Sequence, residues 1–288
     1  MLNEYTSPIS LTYIRHGESA YNAQKKNRSN SSKYNTFEEQ FNLEFKDVKE
    51  SVEKGNSSIP LIKILNNEFP SVKLKELALE LLKERPKTYS PFDTPLSPFG
   101  QKQCKETGMK LKERNQELPD IIYISPYIRT EQTLKYLIEG WNELGKIPVK
   151  IDPRLREQEY GTQILFEDRK LEAVFNPLEM LLREIETEYS FRHSNGESML
   201  DVIDRHNLFL KHIYRKNIGE KVMVIGHHLG LLSLKATFEN WNREKFLFEN
   251  KNNSPENSSI TEFVIDNKRE GEGKLITKTY NEILWNNN

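Results

Sequence analysis

A chain of 288 residues with 42 basic and 43 acidic side chains is long enough to bury a full core and is close to neutral overall. That balance argues against wholesale binding to nucleic acid or to a membrane surface, while leaving room for a local basic pocket. Cys104 is the single cysteine, which excludes a disulfide framework and a thiolate metal cluster.

In chain order, "MLNEYTSPIS" lacks a basic stretch followed by an apolar one, and no later segment approaches a membrane span, so a cytoplasmic setting is expected. Residues 9–15, "ISLTYIR", read as a short buried strand rich in β-branched and aromatic side chains. Residues 23–35 are polar and turn-forming and read as a loop. Thr36 and Glu39 fit a capping box for a helix whose Phe37, Phe41, Phe45, Val48 and Val52 share one face. After a break at "KGNSSIP", Leu74, Leu77, Leu81 and Leu82 form a second apolar face behind a Ser71 cap.

Further on, Ser97-Pro98 signals a helix start, "DIIYI" (120–124) a strand, and Ser125-Pro126 another helix start. "IPVKI" (147–151) is a strand, and 171–189 is helical with a break at Asn176-Pro177. Ser198 and Asp201 open a helix with Val202, His206, Phe209 and Ile213 on one side, before the strand "KVMVIG" (221–226). "FENKNNSPENS" reads as an Asn-rich loop. "SSITEFVID" and "KLITKTYN" read as two final strands around the turn-rich 267–273. Strands alternating with helices predict an α/β three-layer sandwich with a mostly parallel central sheet.

Three of these strands end in polar residues: Arg15-His16, Ser125 to Arg129, and His227-His228. In an open parallel sheet, ligands sit outside the carboxyl ends of the strands, so these groups can converge although they are far apart in sequence. Two arginines offer donor forks to phosphate oxygens, and a neutral imidazole is a nucleophile toward phosphorus. His16 by itself reads first as a solvated loop residue, and only the set of Arg129, Glu157 and His227 in order turns that reading toward catalysis. Strand alternation would point His227 and His228 to opposite faces, which argues against one metal held by both. His193, His206 and His212 carry no constellation and read as structural.

"RHGESAYN" (15–22) resembles the signature of the histidine phosphatase superfamily, which includes the cofactor-dependent phosphoglycerate mutases. "DTPLSPFGQKQ" (93–103), "YISPYIRTEQT" (123–133), "RLREQEYG" (154–161), "NGESMLDVIDR" (195–205), "VMVIGHH" (222–228) and "NSSITEF" (257–263) are similar to later family motifs and stand in family order. The resemblance covers about 9–22 and 93–280 and leaves the intervening region unmatched. It implies a single domain over 1–288, with a helical insertion or lid at about 23–92.

The resemblance also assigns roles. His16 would be the phosphohistidine nucleophile, with Arg15, Arg129 and His227 binding the transferred phosphoryl oxygens. Ser19 and Asn22 match positions that contact phosphate or substrate. Glu157 matches the general acid, with Glu159 as its competitor. Arg192 resembles a substrate-side arginine of the phosphatase branches, or is a surface ion-pair partner. His228 replaces a glycine found in most relatives and is placed beside the substrate. Glu197 is either a pocket residue or a helix-start carboxylate.

The function implied is a metal-independent phosphatase acting on a phosphomonoester, with no cofactor, no metal ligand and a small phosphorylated metabolite as partner. Two alternatives stay open. One is mutase-like phosphoryl transfer; the other is a phospho-ligand or protein-binding module that uses the inserted helices. A homo-oligomer also stays open.

Overall fold

The computed structural model describes residues 7–84, 90–166, 168–266 and 274–286. The expected turn at 267–273, the last residues of the helical region (85–89) and residues 1–6 lie outside the described residues. The first half comprises β1 (Ser10–Arg15), α1 (Ala20–Ser29), α2 (Ser32–Glu53), α3 (Ser58–Leu65), α4 (Val72–Lys83), α5 (Pro98–Glu113), β2 (Ile121–Ile124) and α6 (Ile128–Gly140). The second comprises β3 (Val149–Ile151), α7 (Arg169–Phe175), α8 (Pro177–Ser190), α9 (Met199–Lys216), β4 (Lys221–Gly226), α10 (His228–Glu239), α11 (Arg243–Asn252), β5 (Ile260–Ile265) and β6 (Leu275–Glu282). Contacts divide the chain into two compact units, one of residues 1–23, 89–157 and 201–288, the other of 24–88 and 158–200.

The first unit is built on a six-stranded sheet in the order β3-β2-β4-β1-β5-β6. β1 to β4 are mutually parallel where they pair, and β5 runs antiparallel to both β1 and β6. Successive side chains of a strand face opposite ways, and both faces are apolar here. Leu11, Tyr13, Ile121, Tyr123, Val222 and Val224 pack on one face against Phe209 and Ile213 of α9 and Leu231 and Leu234 of α10. Ile14, Ile122, Ile124, Met223 and Ile225 pack on the other against Leu111 of α5 and Leu134 and Leu137 of α6. Helix layers on both faces make the expected three-layer α/β sandwich.

The second unit is helical. Phe37, Phe41, Phe45 and Val48 of α2 are buried with Ile64 of α3, Leu74 and Ala78 of α4, Leu171 and Val174 of α7, and Met180 and Leu181 of α8. The stripe read from the sequence is thus a packing face, and its partners include 171–181 as well as its own neighbours. Among the described residues no helix is long and apolar enough to cross a membrane.

Several local expectations need correction. The loop at 23–35 is mostly helix, covering the end of α1 and the start of α2. α1 buries none of its side chains, so it carries no periodic apolar signal, while its Ala, Gln, Lys and Arg residues are good helix formers. Thr36 does not cap α2, because its hydroxyl donates back to the Ser32 carbonyl within the helix. The break at 54–60 contains the start of α3, and the Asn-rich stretch at 248–258 begins inside α11, which buries Phe246 and Glu249. The Ser71 and Ser97 caps are formed: their hydroxyls accept from Leu74 N–H at 3.1 Å and Gly100 N–H at 3.0 Å. Ser125 Oγ accepts from Tyr127 N–H at 3.4 Å just ahead of the helix, and α6 begins at Ile128 with no side-chain cap.

Candidate active site

β1 and β4 run side by side with Arg15 opposite Gly226, so the residues that follow them emerge together at the carboxyl edge of the sheet. His16 N–H still donates to the Gly226 carbonyl at 3.0 Å, and Asn257 donates its side-chain amide to the His16 carbonyl at 3.0 Å. Gly17 follows because nothing larger fits: a Cβ there would stand 2.5 Å from the Cys104 sulfur and 2.6 Å from the Gly100 carbonyl oxygen.

Arg129, from the first turn of α6, ties two histidines together. Its Nε donates to Nε2 of His16 at 3.3 Å, its Nη2 lies 3.2 Å from Nδ1 of His227, and its Nη1 donates to the Pro91 carbonyl at 2.6 Å. The guanidinium lies 4.7 Å from the centre of the Tyr127 ring, and the His16 and His227 rings meet edge to face at 5.1 Å. An arginine can only donate, so both contacted ring nitrogens are acceptors. His16 therefore carries its proton on Nδ1, which lies 2.7 Å from the Gly17 carbonyl oxygen, and a lone pair on Nε2. His227 carries its proton on Nε2, 2.8 Å from Ser125 Oγ.

His16 is 4% exposed and His227 is fully buried. Burial, then Arg129, holds both well below the ordinary histidine value; Arg15 adds to this at His16, and His16 itself at His227. Both rings are neutral at neutral pH. Burial also pulls the Arg15 guanidinium down, opposed by Glu157 and Glu256. Arg15 donates from Nη1 to the Pro255 carbonyl, and its buried Nε meets no acceptor among the described residues.

Of the residues singled out from sequence, Arg15, His16, Arg129 and His227 thus come together. Glu157 is half-buried and acts electrostatically on Arg15 and Tyr13, while Arg205 grips its backbone carbonyl at 3.0 Å. Ser19 and Asn22 pair with each other, hydroxyl to amide oxygen at 2.8 Å, at the start of α1. His227 is not in the strand: it occupies the turn between β4 and α10 with extended backbone, and His228 is the first residue of that helix. The strand-alternation argument for the two histidines therefore fails, and His228 is close enough to His16 to act on its proton. Arg192 is exposed in the helical unit, just after α8.

Sequence reasoning missed Tyr13. Its hydroxyl accepts from His227 N–H at 2.8 Å and donates to the His227 carbonyl at 3.0 Å, fixing the turn from the neighbouring strand. It fits only because two glycines flank it: a Cβ on Gly226 or Gly230 would lie 2.1 or 2.7 Å from that oxygen. The signal was present as Gly-His-His-Leu-Gly, glycines four apart around the histidines. Arg205, Ser125 and Asn257 were also missed in their roles, since each acts through contacts distant in sequence.

The family model of the histidine phosphatase superfamily (branch 1) matches residues 82–274. A phosphoglycerate mutase-like protein of Arabidopsis thaliana is 29% identical over 182 residues, which is 57% of this chain and 54% of that protein. Sedoheptulose 1,7-bisphosphatase of Saccharomyces cerevisiae is 39% identical over 75 residues, 24% of this chain and 28% of that protein. The chain thus spans about half or less of the curated relatives it matches. Among solved structures, the alpha-ribazole phosphatase of Shigella flexneri superposes with a TM-score of 0.60 at 15% identity, covering 95% of this chain and 96% of that one. A mycobacterial glucosyl-3-phosphoglycerate phosphatase gives 0.56 at 16%, covering 95% and 98%. These likenesses carry the fold.

Proposed function

Since the chain belongs to the histidine phosphatase superfamily (branch 1), we propose that it hydrolyses a phosphomonoester of a small phosphorylated metabolite through a phosphohistidine on Nε2 of His16, with no metal ion in the reaction. In the first step the Nε2 lone pair attacks phosphorus in line with the ester oxygen. The N–P bond forms, the P–O bond to the alcohol breaks, and Glu157 gives its proton to the departing oxygen. In the second step water attacks the phosphorus, its proton passes to the Glu157 carboxylate, and the N–P bond breaks to release inorganic phosphate.

The observation that carries this reading is the protonation pattern of His16: a buried neutral ring whose unprotonated Nε2, at the carboxyl end of β1, accepts from the Arg129 fork that also reaches His227. Charge that builds on the transferred oxygens falls to Arg15, Arg129 and His227, groups already held in place by the sheet and α6. Ser19, Asn22 and His228 are assigned to substrate contact. The names of the similar proteins, several of them phosphatases of phosphorylated metabolites, support the substrate class.

The test is to mix the protein with a ³²P-labelled aryl phosphate and quench it in alkali. The wild type yields a base-stable, acid-labile phosphoprotein and His16→Ala yields none, with turnover lost. Turnover retained in His16→Ala refutes the mechanism. So does activity that disappears with a chelator and returns only with metal while circular dichroism stays unchanged.

A further inference from the structure

In the helical unit three side chains without a role in the proposed reaction face one another, and one of them is His193, which the sequence alone placed in no constellation. Glu172 of α7, Glu179 of α8 and His193, in the segment after α8, bring one ligand atom each to within 4.8 Å of one another. Glu172 is 2% exposed and His193 7%. Oε1 of Glu172 and Nδ1 of His193 are both buried and meet no hydrogen-bond partner among the described residues. A buried carboxylate oxygen and a buried ring nitrogen with nothing to bond are costly, and two at one place call for an occupant.

The protein's own charges do not fill that role. Arg183 is the nearest cation, with Nη1 at 3.5 Å from the other Glu172 oxygen, Oε2, and its guanidinium lies against the Phe191 ring at 5.8 Å. It therefore neutralises one side of Glu172 and leaves Oε1 turned away. Arg169 acts on the group from farther off and is itself paired with Glu188.

We propose that Glu172, Glu179 and His193 bind a divalent transition-metal ion of the zinc class. One nitrogen and two carboxylate oxygens suit that class, with bonds of about 2.0–2.2 Å and a fourth position open to water. Magnesium and calcium prefer larger all-oxygen shells and are disfavoured by the imidazole.

The ligands come from three pieces of chain, so the ion ties the segment carrying Arg192 and His193 to α7 and α8. That segment is already pinned elsewhere. Ser194 N–H donates to Oε1 of Glu179 at 2.9 Å, and the Ser194 carbonyl accepts from Thr162 N–H at 3.0 Å. Gly161 has no room for a side chain, since a Cβ would stand 2.0 Å from that carbonyl. The ion is structural in this proposal and takes no part in the phosphoryl transfer.

The experiment titrates chelator-treated full-length protein with Co²⁺, a spectroscopic stand-in for Zn²⁺. The expected result is a saturable visible d–d band at one equivalent, displaced by Zn²⁺ and untouched by excess Mg²⁺. Zn²⁺ should also raise the melting temperature, because it binds the folded state alone. Glu179→Gln and His193→Gln should each weaken binding by at least about tenfold, and the triple variant with Glu172→Gln should bind none. The wild-type titration decides even if a variant fails to fold: absence of a saturable band overturns the proposal. A triple variant that keeps wild-type stoichiometry and affinity overturns it equally.

Discussion

Replacing Tyr13 by phenylalanine removes one oxygen and leaves the ring in the core between β1, α9 and α10. That oxygen accepts from the only hydrogen His227 presents on its backbone and donates to the His227 carbonyl. The carbonyl keeps a second partner, Leu231 N–H at 3.1 Å, but the N–H is left with none in a fully buried turn. An orphaned buried donor costs about 1–3 kcal/mol and a lost second bond about 0.5–1.5 kcal/mol, so Tyr13→Phe should destabilise by about 2–4 kcal/mol. Because the turn carries the His227 ring, kcat for an aryl phosphate should fall while the Nε2 lone pair of His16 remains.

Urea unfolding measures the first effect and steady-state kinetics the second. Gly226→Ala supplies an internal control, since its Cβ would collide with the same oxygen at 2.1 Å. In the Tyr13→Phe background the 2.1 Å contact is gone and only the ring carbon Cζ, at 2.8 Å, remains in the way, so the double variant should be less destabilised than the sum of the two singles. A stability change under about 0.5 kcal/mol with unchanged kcat, or strict additivity of the pair, would refute the reasoning.

Three other outcomes are expected. Burial holds His206 down to about 3 in the folded chain, so protonation favours the unfolded state: its stability contribution is intact above the unfolded value near 6.5 and is lost as pH falls toward 3. The loss is on the order of 4–5 kcal/mol across that window, and urea midpoints of His206→Gln should show a flatter acid limb than the wild type. Gly17→Ala should cost about 1–3 kcal/mol in thermal or urea melts. Adding Cys104→Ala should not rescue it, because the Gly100 carbonyl still stands 2.6 Å from the new carbon. Glu157→Gln should slow hydrolysis of an alkyl phosphate by roughly 10²–10⁴-fold and that of a nitrophenyl phosphate much less, as a good leaving group needs no proton; equal losses on both would remove Glu157 from the acid role.

Much of this was readable from local pattern. The strands at 10–15, 121–124 and 221–226 announce themselves as apolar runs, and Ser71 and Ser97 declare helix starts through the hydrogen bond their hydroxyls make. Arg15, His16, Arg129 and His227 stand out because each follows a buried strand, and parallel pairing must deliver such residues to one edge. Where the pattern misled, the cause was physical. α1 buries nothing, so its residues show no apolar period, and the cap at Thr36 was outcompeted by a bond inside a longer helix.

By itself, the sequence determined the strand-helix alternation, the faces to be buried and the polar residues carried to the strand ends. Those follow from periodicity and from side-chain chemistry, which are local. Tertiary structure alone decided that the Phe37–Phe45 face packs with 171–181, that Tyr13 braces His227 between two glycines, and that Arg129 leaves the His16 lone pair on Nε2. It also decided that Glu172, Glu179 and His193, spaced without any motif, meet in one place. Periodicity says that a face is buried but not against what, and a hydrogen bond between residues a hundred positions apart exists only once the chain has closed.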